Sequence, residues 1–347
     1  MRYEDIHVAG IGRHLPDPIE TADAERRGLC ARKDVWRTGI EAVCVSEEAP
    51  PVMAADAARR AMADAGADPS DIELILHASV HYQGHDLWAA ASYVQREAVG
   101  NACPAVEVGQ QSNGGMAAIE LAASFLAARP AGAKALVSTG DRFALPGFDR
   151  WRTDPGTICG DGGTAMVLAR GARTPEDGRD AVLLRSAVSV SDPGLEKLGR
   201  GARPFADAPL EAARPIDAET PREEAVSELG FTEVLRRLLD GQVRAVEGAL
   251  SEAGVERGDI DWFVLPHLGL PKMNVQFFEP LGVDRERTTW DWGSRIGHLG
   301  AGDQIAGLGE LVASGRLAPG ERCLLAGVGA GFTWSAAVVE RTRAGAG

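Results

Sequence analysis

Two stretches of the chain repeat one short pattern at a common offset, and a fold has to accommodate both. Ala65, Gly66, Ala67 and Asp68 are followed by Asp71, Ile72 and Glu73 ahead of an apolar run. Ala253, Gly254, Val255 and Glu256 are followed by Asp259, Ile260 and Asp261 ahead of another. The apolar runs 135–139 and 323–327 stand at nearly the same separation, each after an Ala/Leu-rich stretch. This is the signature of a strand–helix unit used twice. Alternating helices and strands then imply layered sheets covered by helices. The expected halves are residues 1–190 and 191–347, with the Pro-, Ala- and charge-rich segment 194–221 as an excursion between them. Halves packed face to face would bring the loops at Ser112, His267 and His298 towards one pocket.

The stretch 106–129 is the most informative within the first half. Val106, Glu107 and Val108 end a strand, and Met116, Ile119, Leu121, Ala122 and Phe125 recur at helical spacing. Ser112 lies between them, flanked by small residues that permit a tight turn. A hydroxyl at a strand-to-helix junction reads in two ways. It caps the helix, or it is a nucleophile beside free backbone N–H groups that stabilise negative charge. Elsewhere, helices are expected over 51–65 and over 225–253, the latter interrupted near Gly230 or Gly241. Segment 288–292 reads as strand-like.

In the second half, His267 ends an apolar strand and His298 lies in a glycine-rich segment with Asp303 five residues on. A serine needs a base to take its proton, and a carboxylate that fixes the tautomer makes the base effective. Ser112, His298 and Asp303 are therefore a candidate triad, while Asp303 also reads as a helix cap. His267 reads as a second donor to a substrate carbonyl or as a polar strand end. No metal site is expected. His77, His81 and His85 are the nearest approach to a ligand cluster, but they span two elements rather than one helix.

A formal charge of −14 argues against a nucleic-acid binder. No stretch resembles a membrane span, and the N-terminus lacks the pattern of a secretory signal. Five cysteines without a Cys-x-x-Cys pair fit reduced thiols and a cytoplasmic protein.

Several segments together resemble the thiolase superfamily, and within it the ketoacyl-acyl-carrier-protein synthase III group. Arg37-Thr38-Gly39-Ile40 resembles the segment lining the coenzyme A channel. Gly160-Asp161-Gly162-Gly163 resembles the Gly-Asp-Gly turn, and the run from Gly327 to Trp334 resembles the glycine-rich closing motif. The resemblance implies an α/β, thiolase-like duplicated fold with a five-layer αβαβα arrangement, and a homodimer. It places Ser112 where the nucleophile, normally cysteine, begins a buried helix. It matches the family histidine to His267 and puts the family asparagine at Ser294. Asn113-Gly114-Gly115 and the segment from Gly297 to Asp303 resemble an actinobacterial offshoot of polyketide and related antibiotic pathways. Its members choose unusual starter units or act as acyltransferases, and its later histidine and aspartate imply His298 and Asp303 as partners of the nucleophile. The backbone N–H groups of Ser112 and Ala330 are the implied oxyanion donors. Trp36, Arg37, Arg142 and Arg152 are the implied contacts for coenzyme A, with Arg32 and Arg150 as further cations for its phosphates or for an acidic carrier protein.

Three functions follow as expectations, none needing a tightly bound cofactor. The first is acyl transfer from acyl-CoA or acyl carrier protein, through Ser112, to a small-molecule or carrier acceptor. The second is decarboxylative condensation of a starter unit with malonyl carrier protein. The third is a non-catalytic acyl-binding partner.

Overall fold

The computed structural model describes residues 1–171, 181–207 and 214–342, so part of the 194–221 excursion lies outside the described residues. Eleven strands follow in chain order: β1 (Ile6–His14), β2 (Pro18–Glu20), β3 (Ala42–Cys44), β4 (Ile72–Ala78), β5 (Ala105–Val108), β6 (Lys134–Asp141), β7 (Gly162–Arg170), β8 (Ala181–Ser191), β9 (Trp262–Val264), β10 (Arg322–Gly329) and β11 (Thr333–Thr342). Nine form one mixed sheet in the order β5-β4-β6-β7-β1-β8-β11-β10-β9, and β2 pairs with β3 apart from it.

The order is nearly a palindrome. β4 runs parallel to β6, which pairs antiparallel with β7, and β7 with β1. β9 runs parallel to β10, which pairs antiparallel with β11, and β11 with β8. The two sets join where His7 faces Leu183 and Val8 faces Val182, with a further bridge from Arg2 to Ser186. Because β8 pairs along its length with β11, we place the boundary between halves ahead of β8 rather than at 190. The first half keeps a fifth strand, β5. In the second half its counterpart shrinks to a single bridge between Phe263 and Thr288. The strand expected over 288–292 is thus absent. Thr288 Oγ1 accepts from Trp290 N (3.1 Å) and starts the short helix Trp290–Gly293 instead.

The repeated motif is turn chemistry. The helices Pro50–Ala65 and Phe231–Ala253 both end on a left-handed glycine, Gly66 and Gly254, a conformation that costs glycine least. Asp71 then accepts from Asp68 N at 3.1 Å, as Asp259 does from Glu256 N at 2.9 Å, closing a short turn before β4 and β9. The break in the second long helix falls at Gly230, between Glu219–Leu229 and Phe231–Ala253, and not at Gly241.

Three apolar clusters define five layers. Pro50–Ala65 covers the outer face of the first half, with Met62, Ile75, Leu136 and Val167 between. Phe231–Ala253 covers the outer face of the second, with Val246, Leu250, Leu324 and Val338 between. The inner faces of both halves close on two central helices, Gly114–Ala127 and Asp303–Ala313, through residues such as Val137, Ile119, Leu308 and Leu325. Alternating strand residues feed opposite faces, so each half-sheet is buried on both sides and reads as nearly continuous apolar sequence. Among the described residues, no helix is long and apolar enough to cross a membrane.

Candidate active site

The two central helices begin side by side. The first follows β5 and a turn over Gln111–Asn113. Flanking small residues do not make this turn. Gln111 itself takes the left-handed conformation, with φ 49°, at a cost of about 1 kcal/mol for a residue with a Cβ. The strain leaves Ser112 partly accessible while Asn113 is fully buried. Asn113 Nδ2 donates to Ser335 Oγ of β11 (2.8 Å) and anchors the turn. A side chain at Gly115 would run into the carbonyl of Ala301. Glycine there is what lets the two helix starts touch, and with them Ser112 and His298.

His298 is held from both sides of its backbone. Its N–H donates to Ile158 O (2.9 Å), and its carbonyl accepts from Gly160 N (2.9 Å). On its ring, Nδ1 lies 2.6 Å from Asp303 Oδ2 and Nε2 lies 2.8 Å from Ser112 Oγ. Asp303 is fully buried and also accepts from His267 N and Leu299 N, each at 2.8 Å. Burial alone would raise the Asp303 carboxyl. His267, His298 and the donated hydrogen bonds outweigh burial and hold it down to about 2. An ionised Asp303 requires the proton of neutral His298 on Nδ1. Nε2 is then free to accept from the serine. Burial opposes the imidazolium of His298, but Asp303 overcomes it and raises the ring above its ordinary value.

His267 is adjacent to this chain of bonds without lining the cavity. Its neighbours Pro266 and Leu268 line the cavity. The ring packs edge-on to Trp292, and Nδ1 lies 3.1 Å from Gly297 O, which fixes the proton on that nitrogen. Nε2 lies against Gly293, buried and without a partner among the described residues. Burial lowers this ring, against the pull of Asp303. Ser294 is also apart from the cavity. Its hydroxyl donates to Asp291 O (2.8 Å), and its carbonyl accepts from Glu41 N and Ala42 N. The side chain bonded to Ser112 is His298, four residues on.

Ser112 and His298 open into a cavity of about 470 Å³ that also reaches Ala330 and Phe332. Its walls are mostly apolar, with one polar cluster of Asp154, Thr157, Arg222 and Lys272. Lys272 Nζ donates to Asp154 Oδ2 (3.0 Å) and Thr157 Oγ1 (2.8 Å), and Arg222 donates to Asp154 Oδ1 (2.7 Å). Burial would raise Asp154, but Lys272 and Arg222 bring it down to about 2. Burial lowers Lys272 despite Asp154. Sequence reading missed all four. The available cue was a lysine between Pro271 and Met273 in an otherwise apolar stretch.

The residues expected at coenzyme A lie outside this cavity. Trp36 is 58% exposed, with the Arg37 guanidinium 4.9 Å from its ring, beside a shallow pocket over Gly39 and Ile40. Arg142 donates to Glu47 O (2.9 Å), and Arg152 is paired with Asp34 and Asp149. Arg150 is buried on Asp161 with two bonds of 2.9 Å. Asp161 also accepts from Ser46 N and Phe143 N, so it ties its turn to two neighbouring loops and occupies Arg150 in doing so. His77 bonds Ser138, while His81 stacks on Phe143 and His85 meets Trp88 edge-on. Among the described residues, no group of three His, Cys, Asp or Glu side chains is placed to hold a metal ion. All five cysteines are unpaired.

Two halves that share five layers, with a hydroxyl at the start of one central helix and an imidazole ahead of the other, define a thiolase-like enzyme. Residues 250–341 match the family model for the C-terminal part of 3-oxoacyl-[acyl-carrier-protein] synthase III. The beta-ketoacyl-[acyl-carrier-protein] synthase III of Escherichia coli K12 is 27% identical, covering 96% of this chain and 98% of its own. The structure of ChlB3, described as an acyltransferase, is 35% identical with a TM-score of 0.90 over 98% of both chains. A variant of Xanthomonas campestris OleA with bound lauric acid and lauroyl-CoA shares the fold, at 21% identity and a TM-score of 0.73 over 97% and 99% of the two chains. Along nearly its whole length the chain is similar to the ketoacyl-acyl-carrier-protein synthase III of Escherichia coli and to ChlB3. It is an enzyme of acyl-group chemistry, which sets aside the expectation of a non-catalytic partner.

Proposed function

We propose that the enzyme takes an acyl group from a coenzyme A or carrier-protein thioester onto Ser112 and passes it to a second acceptor without forming a carbon–carbon bond. The observation that carries this reading is the unbroken chain Ser112–His298–Asp303 at the floor of the cavity, with bonds of 2.8 and 2.6 Å. His298 Nε2 removes the serine proton as Oγ attacks the thioester carbonyl, and Asp303 stabilises the imidazolium that forms. The thiol leaves with that proton. The oxyanion lies near the N–H groups of Ser112 and Ala330. An oxygen ester is less reactive than a thioester, so the acceptor must be well positioned for the second step. The 35% identity to ChlB3, an acyltransferase, is in keeping with this. The enzyme's place is then in polyketide or related secondary metabolism, as a dimer.

Decarboxylative condensation is the second reading, and the names of most relatives favour it, the Escherichia coli synthase among them. It needs donors aimed at the enolate left by malonyl decarboxylation. His267 offers little here: its one N–H is committed to Gly297 O, and it does not line the cavity. Trp36 and Arg37 remain the contacts we assign to coenzyme A. Arg142 and Arg152 would serve only by leaving their present partners.

Intact-protein mass spectrometry with a panel of acyl-CoAs tests the first step. An acyl adduct is expected on the wild type and not on Ser112→Ala. Equal product formation by both proteins removes Ser112 from the mechanism. Labelled carbon dioxide released from malonyl carrier protein, together with ketoacyl product, would replace the transfer reading by condensation.

A further inference from the structure

The cavity has two unlike walls. Val234, Leu235 and Leu238 of helix Phe231–Ala253 face it together with Val328 and Phe332, all apolar. Opposite in character are Asp154 and Thr157 of the loop after β6, Arg222 of Glu219–Leu229 and Lys272 of Leu270–Met273. In this cluster two cations meet one carboxylate, leaving one positive charge unbalanced in a chain whose net charge is −14. A partly buried cation is stable when a counter-charge and its remaining donors are satisfied. Lys272 has three N–H donors, of which Asp154 and Thr157 take two. The Arg222 fork gives one bond to Asp154 and keeps others for a planar anion.

The cluster also abuts the base. Ile158, next to Thr157, accepts the backbone N–H of His298. The charge of Asp154 adds to the upward pull on the His298 ring. An anion on Lys272 and Arg222 therefore shares one cavity with the nitrogen that must deprotonate an attacking group.

We infer that this cluster seats the carboxylate of the acyl acceptor, so that the acceptors are hydroxy or amino acids held by their carboxylate with the nucleophilic group towards His298. The acyl chain lies on the apolar wall. This rests on the acyl-transfer reading above. In the second step the acceptor oxygen or nitrogen bonds the acyl carbon and gives its proton to His298 Nε2. The bond from that carbon to Ser112 Oγ breaks, and Oγ takes the proton back.

The test uses full-length enzyme acylated with butyryl-CoA, the adduct being followed by mass. Lactate, 3-hydroxybutyrate and alanine are compared with their methyl esters as acceptors. The acid-to-ester rate ratio is expected to be about 30 or more, the range for a charged pair desolvated at a binding site. It should fall towards one in Lys272→Met and stay well above one in Lys272→Arg. A wild-type ratio near one, or equal loss on acids and esters in Lys272→Met, overturns the assignment. So does a Lys272-dependent preference for succinyl-CoA over butyryl-CoA in forming the adduct, which would give the carboxylate to the donor. Should no acyl-CoA give an adduct, the transfer reading fails by itself. Calorimetry of lactate against methyl lactate, on wild type and Lys272→Met, then still decides the carboxylate site, and equal binding of the two overturns it.

Discussion

Each half of the molecule ends a loop on a buried carboxylate, and the two corners are built alike. Asp161 accepts two backbone N–H groups and the two bonds of Arg150. Asp303 accepts two backbone N–H groups and the ring N–H of His298. Both carboxylates are fully buried. The difference lies in the partner. Arginine never gives up its proton in a protein, and Arg150 is itself only 9% exposed, so that corner can only hold loops together. Histidine titrates near neutrality, and the far nitrogen of His298 reaches Ser112 and the cavity. In the mechanism we propose, the same carboxylate device becomes chemistry because its partner can carry a proton across to a substrate.

The contrast breaks most plainly at His298. His298→Ala removes the base and should slow acylation of Ser112 by about 10⁴-fold, as loss of a triad member does; rapid-quench mass measurement of the adduct checks it. Asp303→Asn keeps the shape but fixes the wrong tautomer, and a loss of about 10³–10⁴-fold is expected. At the other corner, Arg150→Met leaves Asp161 as an unpaired buried charge. Unfolding free energy should drop by about 3–5 kcal/mol, read in a denaturant titration. The acylation rate of the protein that remains folded should change far less than in Asp303→Asn. A rate loss in Arg150→Met as large as that of Asp303→Asn would show that the corners are not functionally distinct. His267→Asn is intermediate, because the His267 ring stands behind Asp303, with Nδ1 3.3 Å from Oδ1, without lining the cavity. A loss of about 10–100-fold is expected, the scale of a small misplacement near reacting groups.

How far this arrangement was legible in the sequence depends on which force set each part. The repeat was readable because it is local: a left-handed glycine and an aspartate-closed turn recur wherever the same helix-to-strand connection is made. The pairing of Ser112 with His298 was a candidate from residue chemistry that motif resemblance strengthened, while Ser112 and Asp303 also read as caps. The placement of the family asparagine at Ser294 was off the site by four residues, since glycine-rich segments align in several registers. The strand over 288–292 failed because the pattern of β-prone residues at Thr288 and Thr289 does not reveal that Thr288 starts a helix. The Lys272 cluster was invisible. Its members come from three separated segments, and only tertiary packing brings Asp154, Arg222 and Lys272 together. Arg150 shows the converse: a lone arginine in a polar loop gives no sign of the buried carboxylate that claims it.

The smallest expected effect is the one that most sharpens the contrast, because it turns on pH alone. His298 must be neutral to accept the serine proton, and its ring is raised above 6.5 chiefly by Asp303 against the effect of burial. Acylation should therefore fall as pH drops through a midpoint above 6.5. Asp303→Asn should move that midpoint down, and Arg150→Met should leave it in place. Stability runs the other way. A group whose pKa is raised on folding contributes fully below its unfolded value, and the contribution is lost as pH rises through the folded value. Between 6.5 and the folded midpoint, the His298 corner thus gains rate while it loses stability. Asp303, held near 2, stays ionised throughout and adds no slope of its own. A stability cost in His298→Ala that stays flat across this window would mean that the proton sits elsewhere than on the imidazole beside Ser112.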